Sequence, residues 1–145
     1  MKHLLLLAGL AVVVLVIQVN SSVRGGKKVD TRVFEMRTYY AHPGKMAALH
    51  ARFRDHTMKL FVKHGMTNIG YWMPDKDQKG AGSALIYILA HKSKEAAAAS
   101  FDAFRKDPDW IAARKASEQK AGGSLTEKDG VRSVFLRATA YSALK

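Results

Sequence analysis

An α+β domain built as strand, helix, strand, strand, helix, strand is what this sequence predicts, on three observations. Val33 to Tyr40 alternates apolar and polar residues with the two-residue period of a strand. After the break His42-Pro43-Gly44-Lys45, the residues Met46, Leu49, Phe53, Thr57, Leu60, Phe61 and His64 recur every three or four positions, as on one face of a helix. Beyond Gly65 come two strand-like runs, a second helical region and a last strand-like run, each separated by turn residues.

The elements follow in order. The first strand is expected from about Arg32 to Tyr40. Pro43 suits the first position of the long helix, where its missing N–H costs nothing, and Gly65 suits its end. Lys45, Arg52, Lys59 and Lys63 fall on the side of that helix away from the apolar stripe. A second strand is expected over about Thr67 to Met73, closed by a charged loop from Pro74 to Gly82. The third, Ala84 to His91, is almost wholly apolar and reads as a central strand covered on both faces. Ser93 caps a helix over Lys94 to Arg105, and Asp107-Pro108 starts another through about Lys120. Gly122-Gly123 breaks it, Asp129-Gly130 makes a further turn, and Val131 to Thr139 forms the last strand. This βαββαβ order is the ferredoxin-like arrangement.

Chain length leaves room for one domain of this size, with residues 1–22 as a leader, 23–31 as a linker and 32–145 as the folded unit. Lys2 and His3 precede an apolar run, Leu4 to Ile17, that gives way to Gln18, Asn20, Ser21 and Ser22, the anatomy of a secretory signal peptide. The run is shorter than the roughly 20 residues of a spanning helix, which favours cleavage and export to the periplasm or medium. An uncleaved N-terminus anchoring the chain to a membrane is the other reading. With no cysteine, disulfides and thiolate chemistry are excluded. The formal net charge of +12 is scattered rather than blocked, and no aromatic interleaving marks a nucleic-acid groove. Such a surface implies only a weak attraction to anionic membranes and polyanions.

The uniformly apolar positions Phe34, Met36, Ile86, Ile88, Val134 and Leu136 are expected to face the helices. The opposite face then carries Glu35, Arg37, Tyr39, Tyr87, Leu89, His91, Phe135 and Arg137. Covered by a second copy of the chain, it would enclose a cavity with a few polar groups among aromatics. Glu35, Arg37 and Tyr39 offer a carboxylate base, a cation for an oxyanion and a phenolic donor; a structural Glu-Arg pair is the plainer reading of the first two. Trp72 is a candidate for stacking on a ligand, although packing explains it as well. The pocket candidates are therefore Glu35, Arg37, Tyr39, Trp72, Tyr87, His91 and Arg137. No His-x-x-x-His or His-Glu-x-x-His spacing occurs, so no metal site is assigned.

Glu35-x-Arg37-x-Tyr39, Pro43-Gly44-Lys45, His64-Gly65 with Gly70-Tyr71-Trp72, Tyr87, and Phe104-Arg105-x-Asp107-Pro108-x-Trp110 occur in this order over about Val33 to Ser142. In that order and spacing the chain resembles the NIPSNAP family. Phe101 and Ser83 depart from the tryptophan and asparagine expected at their positions, which touches packing and a loop hydrogen bond rather than the fold. The resemblance implies the dimeric α/β-barrel group, in which two ferredoxin-like protomers place their sheets face to face. It also implies a homodimer binding an unidentified small molecule between the sheets, with no established catalysis and no cofactor. The wider barrel group supplies the alternative of a cofactor-independent monooxygenase or a haem-degrading enzyme, for which His64 is the candidate axial ligand.

Overall fold

The computed structural model describes residues 32–144, so the leader and the linker lie outside the described residues. Four strands, β1 (Val33–Ala41), β2 (Thr67–Trp72), β3 (Ala84–His91) and β4 (Thr126–Leu136), form one sheet in the order β2-β3-β1-β4. Every neighbouring pair is antiparallel. Helices cover one face: α1 (Met46–Arg52) and α2 (Met58–Lys63), joined through a π-helical stretch Phe53–Thr57, then α3 (Lys94–Lys106) and α4 (Pro108–Lys120). This is the βαββαβ ferredoxin-like fold expected from the sequence, with α3 and α4 together filling the place of the second helix.

The long helix starts at Met46 rather than Pro43. Gly44 adopts a left-handed φ of +74° and the Lys45 N–H bonds to the His42 carbonyl at 3.0 Å, so Pro43-Gly44 is a turn that feeds the helix. The last strand starts earlier than expected, at Thr126. Asp129 takes φ +58° inside it, and the pairing with β1 shifts register between Tyr39 and Ala41. The expected Asp129-Gly130 turn is thus a kink within a continuous strand. Gly130 permits it, because a Cβ there would lie 2.9 Å from the Glu127 carbonyl oxygen and 3.0 Å from that of Tyr40.

The two faces of the sheet are the reverse of the sequence expectation. Tyr39, Leu85, Tyr87 and Leu89 lie under the helices and pack with Leu49, Phe53, Leu60, Phe61, Phe101 and Phe104. Phe53 is the hub of this core, meeting the rings of Tyr39 at 5.5 Å, Tyr87 at 5.2 Å and Tyr71 at 5.9 Å in edge-on or tilted contacts. The parity of β1 therefore sends Glu35 and Arg37 inward too. Phe34, Met36, Ile86, Ile88, Val134 and Leu136 are left on the outer face, where Val134 is 50% exposed and Phe34 is buried. The misreading has a physical cause: aromatic side chains were needed to fill the space beneath the helices, and the aliphatic set suits contact with another flat sheet. β3 is central as expected, but its outer residues Ile86 and Ile88 stay half-buried.

Asp107 joins three elements. It ends α3 and caps α4, accepting the Asp109 N–H at 2.8 Å, with Pro108 in the first turn. The same carboxylate meets His64 Nε2 at 2.6 Å and Lys63 Nζ at 2.8 Å, fastening the end of α2 to the α3–α4 corner. These hydrogen bonds hold its pKa well below the ordinary carboxylate value, those from Lys63 and His64 first. Asparagine can keep the cap but not the ion pairs, whereas alanine loses both. Melting temperatures are therefore expected to fall in the order wild type, Asp107→Asn, Asp107→Ala, and an Asp107→Ala protein melting with the wild type would contradict this role.

Candidate functional site

Five of the seven candidate side chains come together beneath the helices. Glu35 is 3% exposed, and its Oε1 accepts from Arg37 Nη1 at 2.6 Å and from the Ser133 hydroxyl at 2.5 Å. Its Oε2 lies 3.1 Å from His91 Nε2. An ionised carboxylate only accepts, so this contact puts a proton on Nε2 of His91. The strands make the cluster possible: Arg37 pairs with Ser133 and with Tyr87, and Glu35 pairs with Leu89 and Phe135, so alternate residues from β4, β1 and β3 share one face. Burial alone would raise the Glu35 pKa. Hydrogen bonds from His91 and Ser133 and the charge of Arg37 outweigh it and bring the value down from 4.5 to about 2. The Arg37 guanidinium lies 4.4 Å from the centre of the Phe101 ring and 5.9 Å from that of Tyr39. Burial disfavours its charge, yet Tyr87, Tyr39 and Glu35 together raise its pKa further.

Beside these satisfied contacts lie buried polar atoms that make no hydrogen bond of good geometry: Arg37 Nε, His91 Nδ1 and the Tyr87 hydroxyl, which faces only the Tyr39 phenol. The Tyr87 phenol sits next to that of Tyr39, with ring centres 5.4 Å apart, and burial pushes its pKa up. Orphaned buried groups are rare in folded proteins and are expensive. Here three gather in one cluster.

A second arginine, expected on the solvent side of its helix, belongs to the same interior. Arg52 is 5% exposed, and its Nε and Nη1 make no hydrogen bond. Its guanidinium lies 5.3 Å from the centre of the Trp110 ring, and Glu118 is 3.6 Å from Nη1. Burial disfavours its charged form and lowers its pKa, against the opposing pull of Glu118 and Tyr39. Above it a cavity of about 500 Å³ is lined by Trp110, Arg114, Glu118 and the Gly122-Gly123 turn, among others. Arg52 stands three residues after the buried Leu49 in α1, but a cationic side chain at that spacing carries no sequence signal of burial.

Two candidates lie elsewhere. Trp72 registers with Ile86 at the β2 edge, is 49% exposed and folds over Gly70, where a Cβ would sit 2.5 Å from the indole. Arg137 follows the end of β4 and lines a shallow outer groove with Phe34, Ile88, Leu136 and the C-terminal residues Ser142 and Leu144. None of the five clustered residues faces the outer side, so the cluster does not line a space between two sheets. His64, the candidate haem ligand, has its Nε2 held by Asp107. Among the described residues no three His, Asp or Glu side chains converge on a point that could hold a metal ion, and no helix is long and apolar enough to cross a membrane.

The Glu35 carboxylate carries a pH signature. Its pKa is lowered on folding, so the stability it contributes is present above about 4.5 and is lost as pH falls toward about 2. Glu35→Gln leaves Arg37 buried without its counter-charge, for an expected loss of about 3 kcal/mol near neutral pH. Urea unfolding midpoints measured from pH 7 to pH 2 are expected to fall less steeply with acid in Glu35→Gln than in the wild type; identical slopes would contradict the assignment.

The sequence model of the NIPSNAP family matches residues 34–143. Among solved structures, a NIPSNAP family protein of unknown function from Agrobacterium tumefaciens superposes with a TM-score of 0.65 at 19% identity, covering 81% of this chain and 96% of that one. An uncharacterised NIPSNAP-like domain protein from Burkholderia xenovorans gives 0.63 at 16% identity, over 78% of this chain and 90% of the other. A putative antibiotic biosynthesis monooxygenase from Nitrosomonas europaea gives 0.52 at 10% identity, covering 79% and 96%. No protein of curated function matches in sequence. At these identities the structural likenesses establish the fold and nothing further. The family match spans most of the chain and contains the whole buried cluster around Glu35 and Arg37, and the chain belongs to the NIPSNAP family.

Proposed function

We propose that this protein is an exported, homodimeric NIPSNAP-domain protein that binds a small anionic molecule, held within each protomer between the sheet and its helices. The observation that carries this reading is the set of buried atoms without a well-made hydrogen bond on that side of the sheet: Arg37 Nε, the Tyr87 hydroxyl beside Tyr39, and Nε and Nη1 of Arg52, the latter with Glu118 no nearer than 3.6 Å. A molecule carrying a carboxylate or an enolic oxygen would accept from these donors and recover the hydrogen bonds that the protein leaves unmade. The aromatic walls, Tyr39, Tyr87, Phe101 and Trp110, suit a partly apolar body. Glu35 serves as a positioning residue, because its bond to Nη1 fixes the guanidinium and turns Nε away from it.

Dimerisation is supported by the outer face of the sheet. Met36, Ile86, Ile88, Val134 and Leu136 form an aliphatic surface over which none of the described helices lies, and a second copy presenting the same surface would bury it, as the fold group's architecture provides. Export is supported by the leader sequence.

Native mass spectrometry of the full chain purified from its own host, without added ligand, reads processing, assembly and cargo together. A dimer with a defined extra mass is expected. Arg37→Lys keeps the charge facing Glu35 but removes the Nε donor, and Tyr39→Phe removes a phenol; each is expected to reduce the retained mass while the dimer persists. Undiminished cargo in both variants would overturn the interior site, and a monomer would overturn the assembly.

A further inference from the structure

We propose a second, separate site: His50, Met58 and Met73, in a cavity that Trp72 also borders, bind a soft monovalent cation, copper(I) by their chemistry. These residues line one cavity of about 260 Å³ at the β2 edge, away from the Glu35 cluster. His50 Nε2 and Met73 Sδ face each other at 2.9 Å. The imidazole and the thioether are therefore in direct contact at the cavity, with no third group between them. Imidazole and thioether together are the ligands that copper(I) accepts and that hard divalent ions refuse. The chain has no cysteine, which leaves methionine as its soft ligand.

The backbone is built to bring the three donors together. In an unbroken α-helix, positions 50 and 58 would lie about 80° apart around the axis. The π-helical stretch Phe53–Thr57 sits between them, with the Met58 N–H bonded to the Phe53 carbonyl five residues back. The extra residue in that turn reduces the angle to about 20°, so His50 and Met58 share a face. Asn68 Nδ2 donates to the Met58 carbonyl at 3.0 Å and fixes this turn against β2. Across the cavity, β2 delivers Trp72 and then Met73, with Gly70 leaving room for the indole to lie flat. The neighbouring cation, Arg54, is engaged by Asp55 through Nε at 2.8 Å and Nη2 at 3.2 Å, which offsets its charge beside the site.

The test is an anaerobic titration of the full chain with copper(I) against a chromogenic copper(I) chelator, followed in parallel by tryptophan fluorescence. A single equivalent is expected to bind and to quench emission from Trp72, with the quenching absent in Trp72→Phe. His50→Gln and Met73→Leu, both at the surface and checked for folding by circular dichroism, are each expected to weaken binding by at least about tenfold. His56→Ala, on the same helix but outside the cavity lining, is expected to bind as the wild type does. Silver(I) should compete and zinc(II) should not. Absence of stoichiometric copper(I) binding, or unchanged affinity in both His50→Gln and Met73→Leu, would overturn the proposal. Neither result bears on the interior site around Arg37.

Discussion

The structure depends on a carboxylate buried where a side chain of that kind is costly. Glu35 lies beneath the helices because three donors, on β1, β3 and β4, meet it there. Shifting β1 by one residue would put Phe34 and Met36 under the helices and expose Glu35 and Arg37, a rearrangement that composition alone would favour. The ion pair with its hydrogen bonds makes the observed parity tolerable, and the aromatic cluster of Tyr39, Tyr87, Phe53 and Phe61 rewards it. Both faces of the sheet take their character from that choice: polar and aromatic inside the protomer, aliphatic outside.

The sequence motifs that mark the family prove to be spatial neighbours. His64, at the end of the long helix, and Asp107, at the corner of α3 and α4, are joined directly by a hydrogen bond. Phe104 packs on Trp110 with ring centres 4.4 Å apart, and Trp110 lies against Arg52 from α1. Tyr71 stacks on Tyr87 at 5.4 Å, coupling β2 to the same core. Much of the motif pattern is thus the framework that holds helices against sheet. What it frames is a pair of arginines that each keep a buried donor without a hydrogen bond, Arg37 at Nε and Arg52 at Nε and Nη1.

Element order was legible because its signals are local. The apolar run from Ala84 to His91 and the Asp107-Pro108 cap each act within a few residues, and both elements occur where those signals put them. Three features needed information the chain does not carry locally. The π-helical turn has no sequence signature, and it decides that Met58 aligns with His50. The kink at Asp129 comes from pairing with β1. Facial parity was hardest, since a sheet whose two faces are both destined for burial offers apolar residues on each, and alternation then fixes the period without fixing the direction. Of the candidate site, Glu35, Arg37, Tyr39, Tyr87 and His91 were found because charged and aromatic residues alternate along two paired strands; Trp72 and Arg137 sit beyond the reach of that pairing.

The division of the sheet into a polar inner face and an aliphatic outer face that another copy covers is the central claim, and the cysteine-free chain allows it to be measured cleanly. Val134→Cys places one thiol on the outer face at a position half exposed in the protomer. Its rate of modification by a water-soluble thiol reagent, followed as the protein is diluted, reads whether that face is covered. Slow modification at high concentration, rising on dilution as the assembly dissociates, is the predicted result. A rate that is fast and independent of concentration would show the outer face open to water and contradict the account.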